Sequence, residues 1–156
     1  MTSLQSSRGW IISAIIFILS AFTVLSPLLA DDDAQAAAKK EAVAAMQAWL
    51  GEIDAGSYAK SWNDSAKSFQ KAITSDNWVT ALNGVRTPLG KSIQRQLASA
   101  ACQTIVPKPG SLAKGDFVIA QFDSSFENMK YARETVTFEK EADGTWRAAG
   151  YYIKPQ

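Results

Sequence analysis

The chain contains no histidine and a single cysteine among its 156 residues. Without histidine there is no Ser-His-Asp or Cys-His catalysis, and the commonest zinc ligand is gone. One cysteine makes neither a thiolate metal site nor an internal disulfide framework. That cysteine, Cys102, follows Ala98-Ser99-Ala100-Ala101 with no adjacent basic residue, which fits a small buried hydrophobe better than an activated thiol. Charge of one sign is also missing. Sixteen Lys and Arg face fifteen Asp and Glu, the lysines are scattered singly, and a nucleic-acid surface is not expected. No calcium loop of the Asp-x-Asp-x-Asp-Gly type occurs, and neither metal nor cofactor is expected. Any acid–base chemistry falls to Asp, Glu, Tyr or Lys.

What is present is concentrated first at the N-terminus. Arg8 precedes an apolar run from Trp10 to Leu25, followed by Pro27 and two small-residue exits, Leu28-Leu29-Ala30 and Ala34-Gln35-Ala36. A basic start, a short greasy segment and a small-residue site make the three-part pattern of a secretory signal peptide. Residues 1–36 are expected to be that signal, cut after Ala30 or Ala36, and the protein is expected to be exported, periplasmic or secreted. The alternative is an uncleaved anchor, the only membrane contact foreseen. Spanning takes roughly 20 apolar residues, and this run includes Ser13, Ser20 and Thr23. Cutting after Ala36 removes Arg8 and Asp31 to Asp33, leaving fifteen basic against twelve acidic residues. Residues 37–156 then suffice for one domain with its own core.

The front of that domain reads helical. Ala38, Ala42, Ala45, Met46, Trp49, Leu50 and Ile53 fall at steps of three and four, on one stripe. Asp54-Ala55-Gly56 stops the helix, with Gly56 as a left-handed cap. Ser57 is positioned to cap a helix carrying Tyr58 and Trp62, Asn63-Asp64 breaks it, and Ala66, Phe69, Ala72 and Ile73 continue. Ser75 is expected to cap a helix with Trp78, Val79, Leu82 and Val85 inward, ended by Thr87-Pro88-Leu89-Gly90. The back reads as strands: Ile93 to Leu97 and onward to Ile105, a loop at Pro107-Lys108-Pro109-Gly110, then Asp116–Phe126, Tyr131–Lys140 and Thr145–Lys154. Ala142-Asp143-Gly144 is the clearest hairpin signal. Short turns force antiparallel pairing. The fold class is therefore α+β, with N-terminal helices packed on a curved antiparallel sheet of about four strands.

The order of helices followed by a meander, with Trp49-Leu50 and Asp54-Ala55-Gly56-Ser57-Tyr58 at the first break, resembles the nuclear transport factor 2-like (cystatin-like) cone. That resemblance implies a cavity between helices and sheet. More closely, the chain resembles a bacterial exported family, domain of unknown function 4019. The matching pieces are Trp49-Leu50 through Ser61-Trp62, Trp78 through Val85 to Gly90, Arg95, Glu134-Thr135-Val136, and Asp143-Gly144-Thr145-Trp146 to Gly150-Tyr151. The family implies an exported α+β domain and no known activity.

Four residues stand out as ligand-binding candidates: Glu134, Arg95, Trp62 and Arg86. Glu134 shares strand parity with Ala132, Val136 and Phe138, where a carboxylate is costly unless paired. Arg95 shares parity with Ile93 and Leu97, so an Arg95–Glu134 ion pair would satisfy both; the alternative is a ligand-facing carboxylate. Arg86 ends a helix, where a cation favours the last carbonyls, or it joins Arg95 in binding an anion. Trp49, Trp62, Trp78 and Trp146 are either core or the lining of a carbohydrate-like pocket. Tyr131, Tyr151 and Tyr152 fit strand propensity alone. The chain reads as a non-catalytic module binding an unknown small ligand or protein. The alternatives are a cone-fold lyase, isomerase or hydrolase using Glu134 with Arg95, and a structural homodimer joined through the sheet.

Overall fold

The computed structural model describes residues 27–105 and 115–156. The apolar run Trp10–Leu25 and the loop Pro107–Gly110 lie outside the described residues. Four helices, α1 (Pro27–Asp54), α2 (Tyr58–Asn63), α3 (Lys67–Ala72) and α4 (Ser75–Arg86), and a short 3-10 turn (Thr87–Leu89) precede four strands. These are β1 (Ser92–Ile105), β2 (Gly115–Phe126), β3 (Met129–Lys140) and β4 (Trp146–Pro155). They form one antiparallel meander in the order β1-β2-β3-β4. The α+β class and the strand count match the expectation.

Helix α1 is described from Pro27 onward. The helix runs through Ala30 and Ala36, so a cut after Ala36 would shorten it to residues 37–54, which still carry most of the inward stripe. Gly56 does take the left-handed conformation, at φ 73°. Ser57 stands before α2 but makes no side-chain cap. For α4 the cap is Thr74, not Ser75: the Thr74 Oγ1 accepts from Asn77 N at 3.3 Å. Gly90, at φ 74°, has no alternative, because a Cβ there would sit 2.6 Å from Glu127 Oε2.

The inward parity of β2, foreseen as Val118, Ala120, Phe122 and Phe126, is buried throughout. Opposite it stand Ala132, Glu134, Val136 and Phe138 of β3. The main core joins Val118, Ala120, Phe122, Val136 and Phe138 to Met46, Trp49, Leu50 and Ile53 of α1, Trp78 and Leu82 of α4, and Trp146 and Ala148 of β4. A second, smaller cluster holds Leu89, Phe126 and Ala132.

Two further expectations fail. Val85 faces solvent and Arg86 is buried in its place, because α4 turns its last residue toward α1. In β1, register breaks between Ser92 and Gln94 and between Leu97 and Ser99 interrupt the alternation. A bulge adds an unpaired residue and re-aims its neighbours, and Ile93 and Leu97 end up exposed. Cys102 is half-buried, packed against the main core with its Sγ 3.5 Å from Gln35 O.

Candidate functional site

Between the two apolar clusters runs a ladder of charges. Arg95, on β1, is within reach of β3 because Ser124 of β2 stands opposite it and Glu134 lies one strand further. Arg95 Nε donates to Glu134 Oε2 at 2.7 Å and Nη2 to Oε1 at 3.2 Å. Its other edge takes Asp54, at the end of α1: Nη1 to Oδ2 at 2.6 Å and Nη2 to Oδ1 at 3.0 Å. Arg86 closes the ladder with Nη2 on Asp54 Oδ1 at 2.5 Å, its guanidinium 4.3 Å above the Phe126 ring. Two cations and two anions alternate, so the ladder carries no net charge. It opens toward water at Asp54 and Arg95, whose side chains are 24% and 14% exposed, while Arg86 is 3% and Glu134 0% exposed.

Glu134 has no free acceptor. Besides Arg95, its Oε2 accepts from Ser124 Oγ at 2.5 Å and its Oε1 from Tyr151 OH at 2.7 Å. Four donors fill the roughly four lone-pair positions of a carboxylate. Burial pushes the Tyr151 hydroxyl well above its usual range, and the neighbouring Glu134 charge pushes it further, so Tyr151 stays a donor. Burial alone would lower Arg95, but its hydrogen bonds to Asp54 and Glu134 prevail and hold it above its ordinary value.

Three of the four candidate residues are therefore brought together: Glu134 and Arg95 directly, Arg86 through Asp54. Arg86 serves neither its helix carbonyls nor, with Arg95, a shared open surface. Trp62 stands apart: its Nε1 donates to Ile73 O at 2.9 Å, tying α2 to the α3–α4 connection. Trp49 and Trp78 are core, their rings 6.0 Å apart, with both Nε1 atoms donating to Ser61, to O at 2.8 Å and to Oγ at 3.0 Å. Sequence reasoning missed Asp54, Ser124 and Tyr151. Ser124 was legible as a polar residue on the apolar parity of β2. Tyr151 was less so, because a register break opposite Thr137–Phe138 separates its parity from that of Trp146.

A second arrangement lies at the surface. A cleft of about 620 Å³ opens between α1 (Ala45, Ala48, Trp49, Glu52) and the β3–β4 turn (Glu141, Asp143, Thr145, Trp146, Arg147). Its carboxylates are paired, Glu52 and Asp64 with Lys60, Glu141 with Arg147 at 2.7 Å and Asp143 with Arg147 at 2.9 Å, while Lys67 Nζ donates to Gln70 Oε1 at 3.1 Å. The Arg147 hydrogen bond, then the Thr145 N–H, hold Asp143 well below the usual carboxylate range. Two of its lining residues each hold one polar atom that is buried without a partner, Glu52 Oε2 and Trp146 Nε1.

The sequence model of a family described as protein of unknown function (DUF4019) matches residues 45–151. The chain belongs to this family. A comparison with curated proteins found no match. Every residue of the DUF4019 ladder and of the cleft described above lies within the matched segment. That is not true of a neighbouring cavity of about 370 Å³, whose wall includes Asp31, Ala34, Gln35 and Ala38 of α1. Among the described residues, no group of three or more His, Cys, Asp or Glu is placed to hold a metal ion.

Proposed function

We propose that this DUF4019 protein is an exported, single-domain, non-catalytic module that binds a small ligand in the cleft between α1 and the β3–β4 turn. The observation that carries this is the cleft itself, about 620 Å³ in volume and walled jointly by α1, the segment between α2 and α3, and the β3–β4 turn. The lyase, isomerase or hydrolase alternative has less support. Its general base, Glu134, has no exposed surface and no lone pair to spare. Export is supported by Arg8, the apolar run and Ala34-Gln35-Ala36. Helices followed by an antiparallel meander support the likeness to the nuclear transport factor 2-like cone.

The homodimer alternative rests on Tyr131 and Tyr152, 72% and 62% exposed on the outer sheet face. Arg133 and Lys154 share that face, which breaks up its apolar area.

Two measurements test the proposal. N-terminal sequencing of the periplasmic or medium fraction is expected to find a start at Asp31 or Ala37; full-length chain pelleting with membranes would replace export by anchoring. Indole N–H resonances are then followed by NMR against a small-molecule library. Saturable shifts at Trp146, with Trp62 unmoved, are expected. Shifts confined to the outer-face tyrosine neighbourhood, with sedimentation as a dimer, would favour association through the sheet.

A further inference from the structure

The sheet face turned away from the core carries a groove at the end nearest α3. The chain entering α3 is tied to the sheet by two hydrogen bonds. Ala66 N donates to Ala148 O at 2.9 Å, and Ser68 Oγ donates to Glu139 Oε2 at 2.5 Å. On β2, Phe117 and Ile119 alternate with the core residues Val118 and Ala120, so they belong to the other face. With Ile105 of β1, Ala149 of β4 and Phe69 of α3 they line a groove of about 610 Å³, within the ordinary range for small-ligand sites. Most of its lining surface is apolar. Phe69, Ile105, Ile119 and Ala149 are half-buried, so part of each meets solvent, and Phe117 is buried beneath them. No lining residue precedes Lys67, so a cut after Ala30 or Ala36 leaves the wall whole.

The charges at this groove are one-sided. Lys67 and Lys71, one turn apart on α3, are both exposed and both line it. Among the described residues neither has a carboxylate within ion-pair distance. The one acid in the wall, Glu139, is already held by Ser68. The floor offers little main chain, because β2 and β3 are each paired on both sides and their N–H and C=O groups are used within the sheet. A peptide laid there would find few backbone partners, whereas a hydrocarbon chain needs none. We propose that the groove binds a single-chain amphiphile with an anionic head, a fatty-acid carboxylate. The chain lies on Ile105, Phe117 and Ile119, and the carboxylate meets Lys71. Burial of the chain supplies the attraction, and the unpaired cations select the sign of the head. Lys67 also lines the cleft between α1 and the β3–β4 turn, so Lys71 is the cation that separates the two sites.

The test uses isoleucine-methyl-labelled protein isolated from cells expressing the full-length sequence. Decanoate, decanol and decyltrimethylammonium share one chain length and differ in head charge. Each is titrated to about 0.2 mM, enough to detect weak affinities. Saturable methyl shifts at Ile105 and Ile119 with decanoate are expected, with Ile93 and Ile153 unmoved and the other two probes binding more weakly. Lys71→Glu is expected to weaken decanoate about fivefold or more, by exchanging attraction for repulsion at the rim, and to leave decanol unchanged. Ile119→Thr keeps the β-branch and removes apolar contact, so it is expected to weaken both decanoate and decanol about threefold or more, read at Ile105. The comparison of the three heads on the unaltered protein stands even if a variant fails to fold. Decanol or decyltrimethylammonium binding as tightly as decanoate would overturn the anionic assignment. No shift at Ile105 and Ile119 with any probe would overturn the groove as a site, and leaves the cleft reading untouched, since that rests on Trp146. Shifts of the same methyls with protein concentration alone would instead assign the groove to a second copy of the chain.

Discussion

The ladder and the cleft are built from the same residue types and differ in nearly everything else. In the ladder, Asp54, Arg86, Arg95, Ser124, Glu134 and Tyr151 come from six different elements, and Glu134 has no exposure. In the cleft, the pairs are partly local. Lys60–Asp64 and Arg147–Asp143 are four residues apart, and the Lys60 and Asp64 side chains are 61% and 50% exposed. Exposed ion pairs gain little, because water screens them and two long side chains lose freedom. Buried ones cost much to desolvate and more to break. The ladder therefore holds α1, α4 and the sheet in one arrangement and is unavailable for chemistry. The cleft contributes little to folding, while unsatisfied buried atoms remain in both regions, Arg86 Nε and Nη1 in the ladder and Glu52 Oε2 and Trp146 Nε1 beside the cleft.

Mutations sharpen this contrast. The largest effects belong to the ladder. Glu134→Gln and Arg95→Met are each expected to cost about 3–5 kcal/mol in urea unfolding, since either strands a charge, with the double mutant losing less than the sum. Strict additivity with small single losses would return Glu134 to a ligand-facing role. Arg86→Met is expected to cost less, about 1–3 kcal/mol. It removes two buried, unpartnered nitrogens, Nε and Nη1, and its partner Asp54 keeps Arg95. A loss equal to that of Arg95→Met would mean that Asp54 cannot be held from one side.

Tyr151→Phe is expected to cost about 1 kcal/mol at neutral pH. It also tests pH dependence. The Tyr151 hydroxyl titrates higher in the folded than in the unfolded chain, where its ordinary value is 10.0. The unfolded state thus releases its proton first, and stability is intact below pH 10 and falls as pH rises above it. Loss of that alkaline phase in Tyr151→Phe is the expected outcome, and its persistence would assign the phase to another tyrosine. At the small end, Lys60→Ala and Asp143→Asn in the cleft are expected to leave the urea midpoint unchanged. A clear shift from either would erase the distinction between the two regions.

Much of the fold was legible because periodicity reports burial directly. The α1 stripe from Ala42 to Ile53 and the β2 parity from Val118 to Phe126 are apolar at the right spacing, and both are buried. Glu134 announced itself as a charge on an apolar parity, and its need for a partner pointed to Arg95. Arg95 was found for an incomplete reason. Its strand neighbours Ile93 and Leu97 are exposed by the register breaks, and its shelter comes instead from Asp54 and Glu134 across the fold. Val85 and Arg86 were misassigned because helical periodicity at a terminus cannot show which way the final turn faces its neighbour.

The sequence by itself determined the order of elements, the stop at Gly56, the hairpin at Asp143-Gly144 and the apolar faces, because each depends on residues within one or two turns of one another. It also determined that Glu134 must be paired. Only the tertiary structure decided that Asp54, a residue of a helix-ending turn, bridges Arg86 and Arg95 from 32 and 41 positions away. Only it left Glu52 Oε2 and Trp146 Nε1 buried without partners. Satisfaction of a polar atom depends on every group that folding brings within about 3 Å of it, and no local pattern of residues specifies that set.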